Sequence, residues 1–181
     1  FNSLLSARFN NRDHRKICVI DGRVGFTGGI NLADEYANFI TRFGHWKDTA
    51  VLLRGEAVWS LTTAFLTMWG LMRDVQEDFR LYLPPADCPP APGLVQPFTD
   101  TPRDQEPVGL TAYCNMLAAA RKYVWITTPY LIPDHVLVTA LVTAAKSGVD
   151  VRIVTPGVPD KKLVYQLTRS YYPVLLRAGV R

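Results

Sequence analysis

His14-Arg15-Lys16-Ile17-Cys18-Val19-Ile20-Asp21, followed by Gly28-Gly29-Ile30-Asn31, is the stretch on which the reading of this chain turns. The run from Lys16 to Ile20 is rich in β-branched residues and predicts a strand, whose side chains alternate between faces. His14 and Lys16 then point the same way, about two residue rises apart, and can touch one anion together. Asp21-Gly22-Arg23 predicts a tight hairpin turn, because Asp-Gly tolerates positive φ, and Val24-Gly25-Phe26-Thr27 returns as the partner strand. Gly28 and Gly29 are expected to let backbone come close to a ligand, and Asn31 to supply an amide donor at the end of that strand. A nucleophile, a fixed cation and an amide donor within one hairpin are the equipment for attacking a phosphodiester without a metal. Cys18 shares the face of His14 and Lys16 by parity and is expected to pack as a small hydrophobe.

Composition bounds the partners. The chain has 181 residues, 48% hydrophobic and 20% charged, which allows one substantial core or two small ones and excludes disorder. A formal charge of +4 suits an anionic partner, yet the basic residues are scattered, with no basic stripe interleaved with aromatics. No nucleic acid is therefore expected, although charge alone does not separate a phospholipid from one. The three cysteines, Cys18, Cys88 and Cys114, show no metal-site spacing, so a reducing compartment and no structural metal are expected. The chain opens at Phe1 without a methionine and reads as an excised fragment. Ala57 to Met72 is uncharged and apolar but shorter than the roughly 20 residues a spanning helix needs. Its Val58, Leu61, Phe65, Met68, Trp69 and Met72 follow helical spacing and predict a core-facing amphipathic helix.

Further along, Asp48-Thr-Ala-Val-Leu-Leu-Arg54 reads as a buried strand, with Gly55 turning it into that helix. Residues 84–107 hold eight of the thirteen prolines and mark an extended connection between residues 1–83 and 108–181. Beyond it the spacing predicts a helix over Leu110–Arg121, a strand over Tyr123–Thr128, and a helix capped by Asp134, running to Lys146 and stopped by Gly148. A strand over Val149–Thr155 and a helix over Lys161–Ala178 follow. Strands alternating with helices argue an α/β sandwich.

The pattern His14-x-Lys16-x4-Asp21-x6-Gly28-Gly29-x-Asn31 resembles the first signature motif of the phospholipase D superfamily. The surrounding Asp21-Gly-Arg-Val-Gly-Phe-Thr-Gly-Gly-Ile-Asn-Leu-Ala-Asp-Glu-Tyr36 is similar to bacterial cardiolipin synthases in particular. The likeness continues through Gly44-His-Trp-Lys-Asp-Thr49, Thr128-Pro-Tyr-Leu-Ile-Pro-Asp134, Gly148-Val-Asp-Val-Arg-Ile153 and Arg169-Ser-Tyr-Tyr-Pro173. It implies an incomplete phospholipase D-like α/β/α sandwich: the end of one half, with its motif, and the beginning of a second half. That second half would carry its own motif on a strand after Gly179-Val180-Arg181, and the two halves would share one site.

The resemblance further implies that one histidine attacks phosphorus while an opposing one protonates the departing alcohol. His14 is assigned the attack, and the choice between the two histidines stays open. Lys16 would hold the nonbridging oxygens beside Asn31. Asp21 would fix the hairpin and a nearby hydrogen-bond network. Asp48 is either the carboxylate that orients the His14 ring or a strand-end charge. Tyr130 either lines the pocket or packs as an aromatic. For a cardiolipin synthase, phosphatidylglycerol would be donor and acceptor, with no cofactor and no metal. Other phosphodiesters, and an inactive module or homodimer as the isolated chain, are the alternatives. The parent is expected at the bacterial cytoplasmic membrane, with the segment itself soluble.

Overall fold

The computed structural model describes residues 13–86, 93–101 and 105–181. Cys88 and parts of the proline-rich connection lie outside them; its remaining residues form neither helix nor strand. The chain divides into two compact units, residues 1–98 and 99–181.

The first unit is built on an antiparallel sheet in the order β1 (Ile17–Ile20), β2 (Val24–Gly28) and β3 (Ala50–Arg54). Asp21 and Gly22 take φ of +53° and +64°, and the Arg23 N–H donates to the Ile20 carbonyl at 3.0 Å, so the expected hairpin turn forms. Helix α1 (Val58–Arg73) lies against β1 and β2. The close approach rests on Gly25: a Cβ there would stand 2.8 Å from the Leu61 Cδ1 atom. A short 3-10 turn, Phe79–Tyr82, is capped by Asp78 and leads into Leu83 and Pro84, whose backbone covers Gly22.

Two expectations for this unit are corrected. Val58, Leu61, Thr62 and Leu66 are the buried face of α1, whereas Phe65, Trp69 and Met72 of the expected stripe are exposed. Phe65 and Trp69 stack on each other at 6.0 Å and Arg73 covers the Trp69 ring at 4.9 Å. The strand after Asp48 is not buried: β3 is the sheet's edge, with Val51 and Leu52 half exposed.

The second unit follows the expected alternation: α2 (Val108–Ala119), β4 (Tyr123–Thr127), α3 (His135–Lys146), β5 (Asp150–Val154) and α4 (Lys162–Arg177). Strands β4 and β5 pair in parallel, joined by α3. Asp134 accepts from the Leu137 N–H at 2.8 Å, and Gly148, at φ +89°, ends the helix. The core unites Leu117, Leu131, Leu141, Ala144, Val149, Val151, Leu175 and Val180. Thr168, fully buried on α4, accepts the Leu131 N–H at 3.0 Å and so ties that helix to the segment after β4. Arg181 sits in ladder register beside β5, donating to Val151 at 2.9 Å and accepting from Ile153 at 2.7 Å. The fold class is α/β, as the alternation predicts.

Candidate active site

Register assembles the site. Ile17 pairs with Thr27, and Thr27 with Val51, so the residues before β1, after β2 and before β3 all lie at one end of the sheet. His14, Lys16, Gly29, Asn31 and Asp48 are among those residues, and Gly28 ends β2 beside them. Asp21 is not among them: it occupies the turn at the far end of β1, about 15 Å of strand away from Lys16. Its placement fits the structural role given to it and no contact with a reacting group.

Asp13 and Arg15 pair with each other, Arg15 Nε donating to Asp13 Oδ1 at 2.8 Å and its Nη2 to Oδ2 at 3.0 Å. The Arg15 guanidinium holds the Asp13 carboxyl below the usual carboxylate range. His14 is exposed, and Lys16 bends back so that its ammonium donates to the His14 carbonyl at 2.6 Å. The cation thus belongs to the immediate surroundings of the histidine. Neither the His14 imidazole nor the Asn31 side chain enters a hydrogen bond with another of the described residues. Cys18, expected to be packed, is exposed; along β1, Ile17 and Val19 are half-buried while Cys18 and Ile20 face solvent.

The glycines act differently from the expectation. A Cβ on Gly28 would stand 2.5 Å from the Thr49 carbonyl oxygen and 2.8 Å from the Ala50 Cα, and one on Gly29 would collide with the Asp48 carboxylate. The space they leave is filled by the start of β3, not held open for a ligand. Gly29 also donates to the Thr49 carbonyl at 3.2 Å. Their contribution is to bring Asp48 and the Asn31 segment together.

Asp48 is held at this end but is not joined to His14. Its carboxylate accepts the Thr49 N–H at 2.7 Å and the Trp46 indole N–H at 3.3 Å. Trp46, which sequence reasoning passed over, organises the segment between β2 and β3. The Asn38 side chain clasps its backbone, accepting the Trp46 N–H at 2.6 Å and donating to the Trp46 carbonyl at 2.9 Å. Tyr36 packs on its ring at 4.4 Å and Phe43 edges it at 6.4 Å. Asn38 takes φ +60°, a conformation asparagine tolerates. An Asn and a Trp eight residues apart carry no periodic signal, so nothing in the pattern announced the clasp.

Tyr130 belongs to the second unit, after β4. Its hydroxyl donates to the Asp160 carboxylate at 2.5 Å, and the Lys161 ammonium lies 5.0 Å over its ring. Thr128 accepts the Tyr130 N–H at 3.3 Å. The segments after β4 and β5 are thereby tied together by polar groups, and Tyr130 is more than an apolar packing ring.

Comparison with known proteins gives a consistent result. The family model described as cardiolipin synthase, phospholipase D-like domain, matches residues 113–181. An uncharacterized protein of Streptococcus mutans is 52% identical over 98% of this chain and 38% of its own length. The cardiolipin synthase of Geobacillus thermodenitrificans is 44% identical over 98% of this chain and 36% of its own length. Cardiolipin synthase 2 of Bacillus cereus is 44% identical over 98% of this chain and 35% of its own length. The chain spans a little over a third of the length of these curated relatives, and the similarity includes the His14 hairpin, outside the matched family model.

Proposed function

We propose that the chain belongs, over the segment it spans, to the phospholipase D-like family that includes the cardiolipin synthases, and that it supplies one histidine-lysine motif of a phosphatidyltransferase. The observation that carries the reading is the gathering of His14, Lys16 and Asn31 at one end of a three-stranded sheet. Donor and acceptor are both phosphatidylglycerol.

An imidazole nitrogen of His14 attacks phosphorus, forming a P–N bond as the P–O bond to the donor's terminal glycerol breaks. The departing glycerol takes its proton from a second histidine, supplied from outside this segment or by a second copy. A hydroxyl of the acceptor lipid then attacks phosphorus, giving up its proton to that second histidine. The new P–O bond forms, the P–N bond breaks, and cardiolipin is released with His14 restored. Splitting the displacement in two avoids a single attack by a weak nucleophile on an anion. Lys16 and Asn31 offset the charge that builds on the nonbridging oxygens. No step calls for a cofactor or a metal.

His45 and His135 are the only other histidines: His45 has a lysine two residues on, Lys47, but Leu52 where the motif needs an aspartate, and His135 has no such lysine, so the full motif occurs once. The isolated chain is accordingly expected not to turn over. The reading is tested with phosphatidylglycerol vesicles and the full-length protein that carries this segment. His14→Ala is expected to lower cardiolipin formation by roughly 1,000-fold or more while leaving the protein folded. Unchanged cardiolipin removes His14 from the chemistry, and release of phosphatidic acid by the unaltered protein, without cardiolipin, makes it a hydrolase instead.

A further inference from the structure

We propose that the segment between β2 and β3, centred on Leu32, Phe39 and Ile40, is a docking surface that seats the His14 end of the first unit on an anionic lipid bilayer. This rests on the reading that the substrate is a phospholipid, and it adds which part of the chain meets the membrane.

Leu32 is fully exposed, Phe39 is 82% exposed, and Ile40 is half exposed. Such side chains on a loop of about twenty residues call for an explanation, because loops of that length in compact domains are usually functional. The loop is not a loose tail. Asn38, immediately before Phe39, clasps the Trp46 backbone, and the Phe39 and Ile40 N–H groups donate to the Asp34 carbonyl at 3.0 and 3.4 Å. Within the same loop, the rings of Tyr36 and Phe43 pack on Trp46. The apolar tip is therefore presented by a fixed framework.

The charges around the tip complement an anionic headgroup layer. Arg42 and Lys47 are both exposed on the limb that follows Ile40, and the Arg42 guanidinium lies 5.1 Å over the Phe43 ring. Of the loop's three acids, Asp34 and Glu35 fall on the opposite limb, and Asp48 lies at the base, where its carboxylate accepts from Trp46 and Thr49. Exposed apolar side chains together with tryptophan, tyrosine, arginine and lysine in one ordered loop are the composition of a segment resting at a membrane interface.

Position supplies the remaining argument. The loop starts at Asn31 and ends at Asp48, so it rises from the same sheet end as His14 and Lys16. A phosphodiester that His14 can attack lies in the headgroup layer, and a loop resting there brings that sheet end to it. None of the helices among the described residues is long and apolar enough to cross a membrane, so these helices do not mask a contribution from the loop.

The test is co-sedimentation of the 181-residue chain with sucrose-loaded vesicles of equal parts phosphatidylglycerol and phosphatidylcholine, and of phosphatidylcholine alone. The chain is expected to partition onto the anionic vesicles, and the double variant Leu32→Ser, Phe39→Ser to lose at least about tenfold in partition coefficient. A Phe39→Trp variant guards against misfolding of the double variant: its added emission is expected to shift to the blue and be quenched by brominated phosphatidylglycerol. Failure of the parent chain to partition overturns the proposal. So does equal partition of parent and double variant, or added emission that brominated lipid leaves unquenched; the surface then belongs to a protein neighbour. Partition is read without turnover, so a failed cardiolipin assay and a failed docking assay are separate results.

Discussion

The two units of this chain put their information in different places. In the second, α2 to α4 and the strands between them follow hydrophobic spacing and cap residues closely, and the core is a single cluster from Leu117 to Val180. In the first, a three-stranded sheet and one helix bury little, and order at the sheet's end comes from polar clasps and missing Cβ atoms. The lesson is that a stretch can be explicit about chemistry while saying little about burial. The second unit reads as architecture, the first as a site.

The sharpest way to break that contrast is to compare Lys16 with Asp48, both at the site end. Lys16→Ala in the full-length protein is expected to cut cardiolipin formation roughly 100- to 1,000-fold, because in the proposed mechanism Lys16 offsets charge on the nonbridging oxygens. Asp48→Ala is expected to act through Trp46 and the loop: its thermal midpoint falls while a pH–rate profile keeps its shape. A profile displaced by Asp48→Ala gives that carboxylate the orienting role on His14.

Packing supplies the next test. Leu141→Ala in the second unit's core is expected to cost about 2–5 kcal/mol, since Leu141 is fully buried. Met72→Ala, on the exposed side of α1, is expected to change stability by less than about 0.5 kcal/mol. Equal losses in a denaturant titration of the 181-residue chain show that Met72 is covered after all.

The smallest effect concerns Asp150. Side-chain hydrogen bonds from Arg152, and then from Arg181, outweigh desolvation and bring its carboxyl down to about 2. A depressed carboxyl stabilises the fold above the unfolded value near 3.8, and that contribution is lost as pH falls from there through about 2. Asp150→Asn is therefore expected to lower the thermal midpoint slightly at pH 7 and to converge on the parent near pH 2. A constant difference across that window shows that charge is not the cause.

Particular residues show how far the sequence could be read. Asp21-Gly22, Asp134 and Gly148 each announce local backbone geometry through their own chemistry, and each turn or cap forms where expected. His14 and Lys16 stand at one end of the sheet because both directly precede β1. Burial is not local. Phe65, Trp69 and Met72 satisfy helical spacing as well as Val58 does, yet only the first turns of α1 meet Gly25 of β2. β3 is apolar like a central strand and sits at an edge. Gly28 and Gly29 were legible as points of close approach, but what approaches is Ala50 and Asp48. The Asn38–Trp46 clasp, made between residues of ordinary loop composition, left no pattern at all.

The account stands or falls on His14 as the atom donor to phosphorus. The direct measurement is to stop the full-length protein during turnover with phosphatidylglycerol, digest it, and locate the covalent adduct by mass spectrometry. A phosphatidyl group on a ring nitrogen of His14, absent from His14→Ala, is the expected result. A protein that makes cardiolipin while the adduct sits on another residue contradicts it.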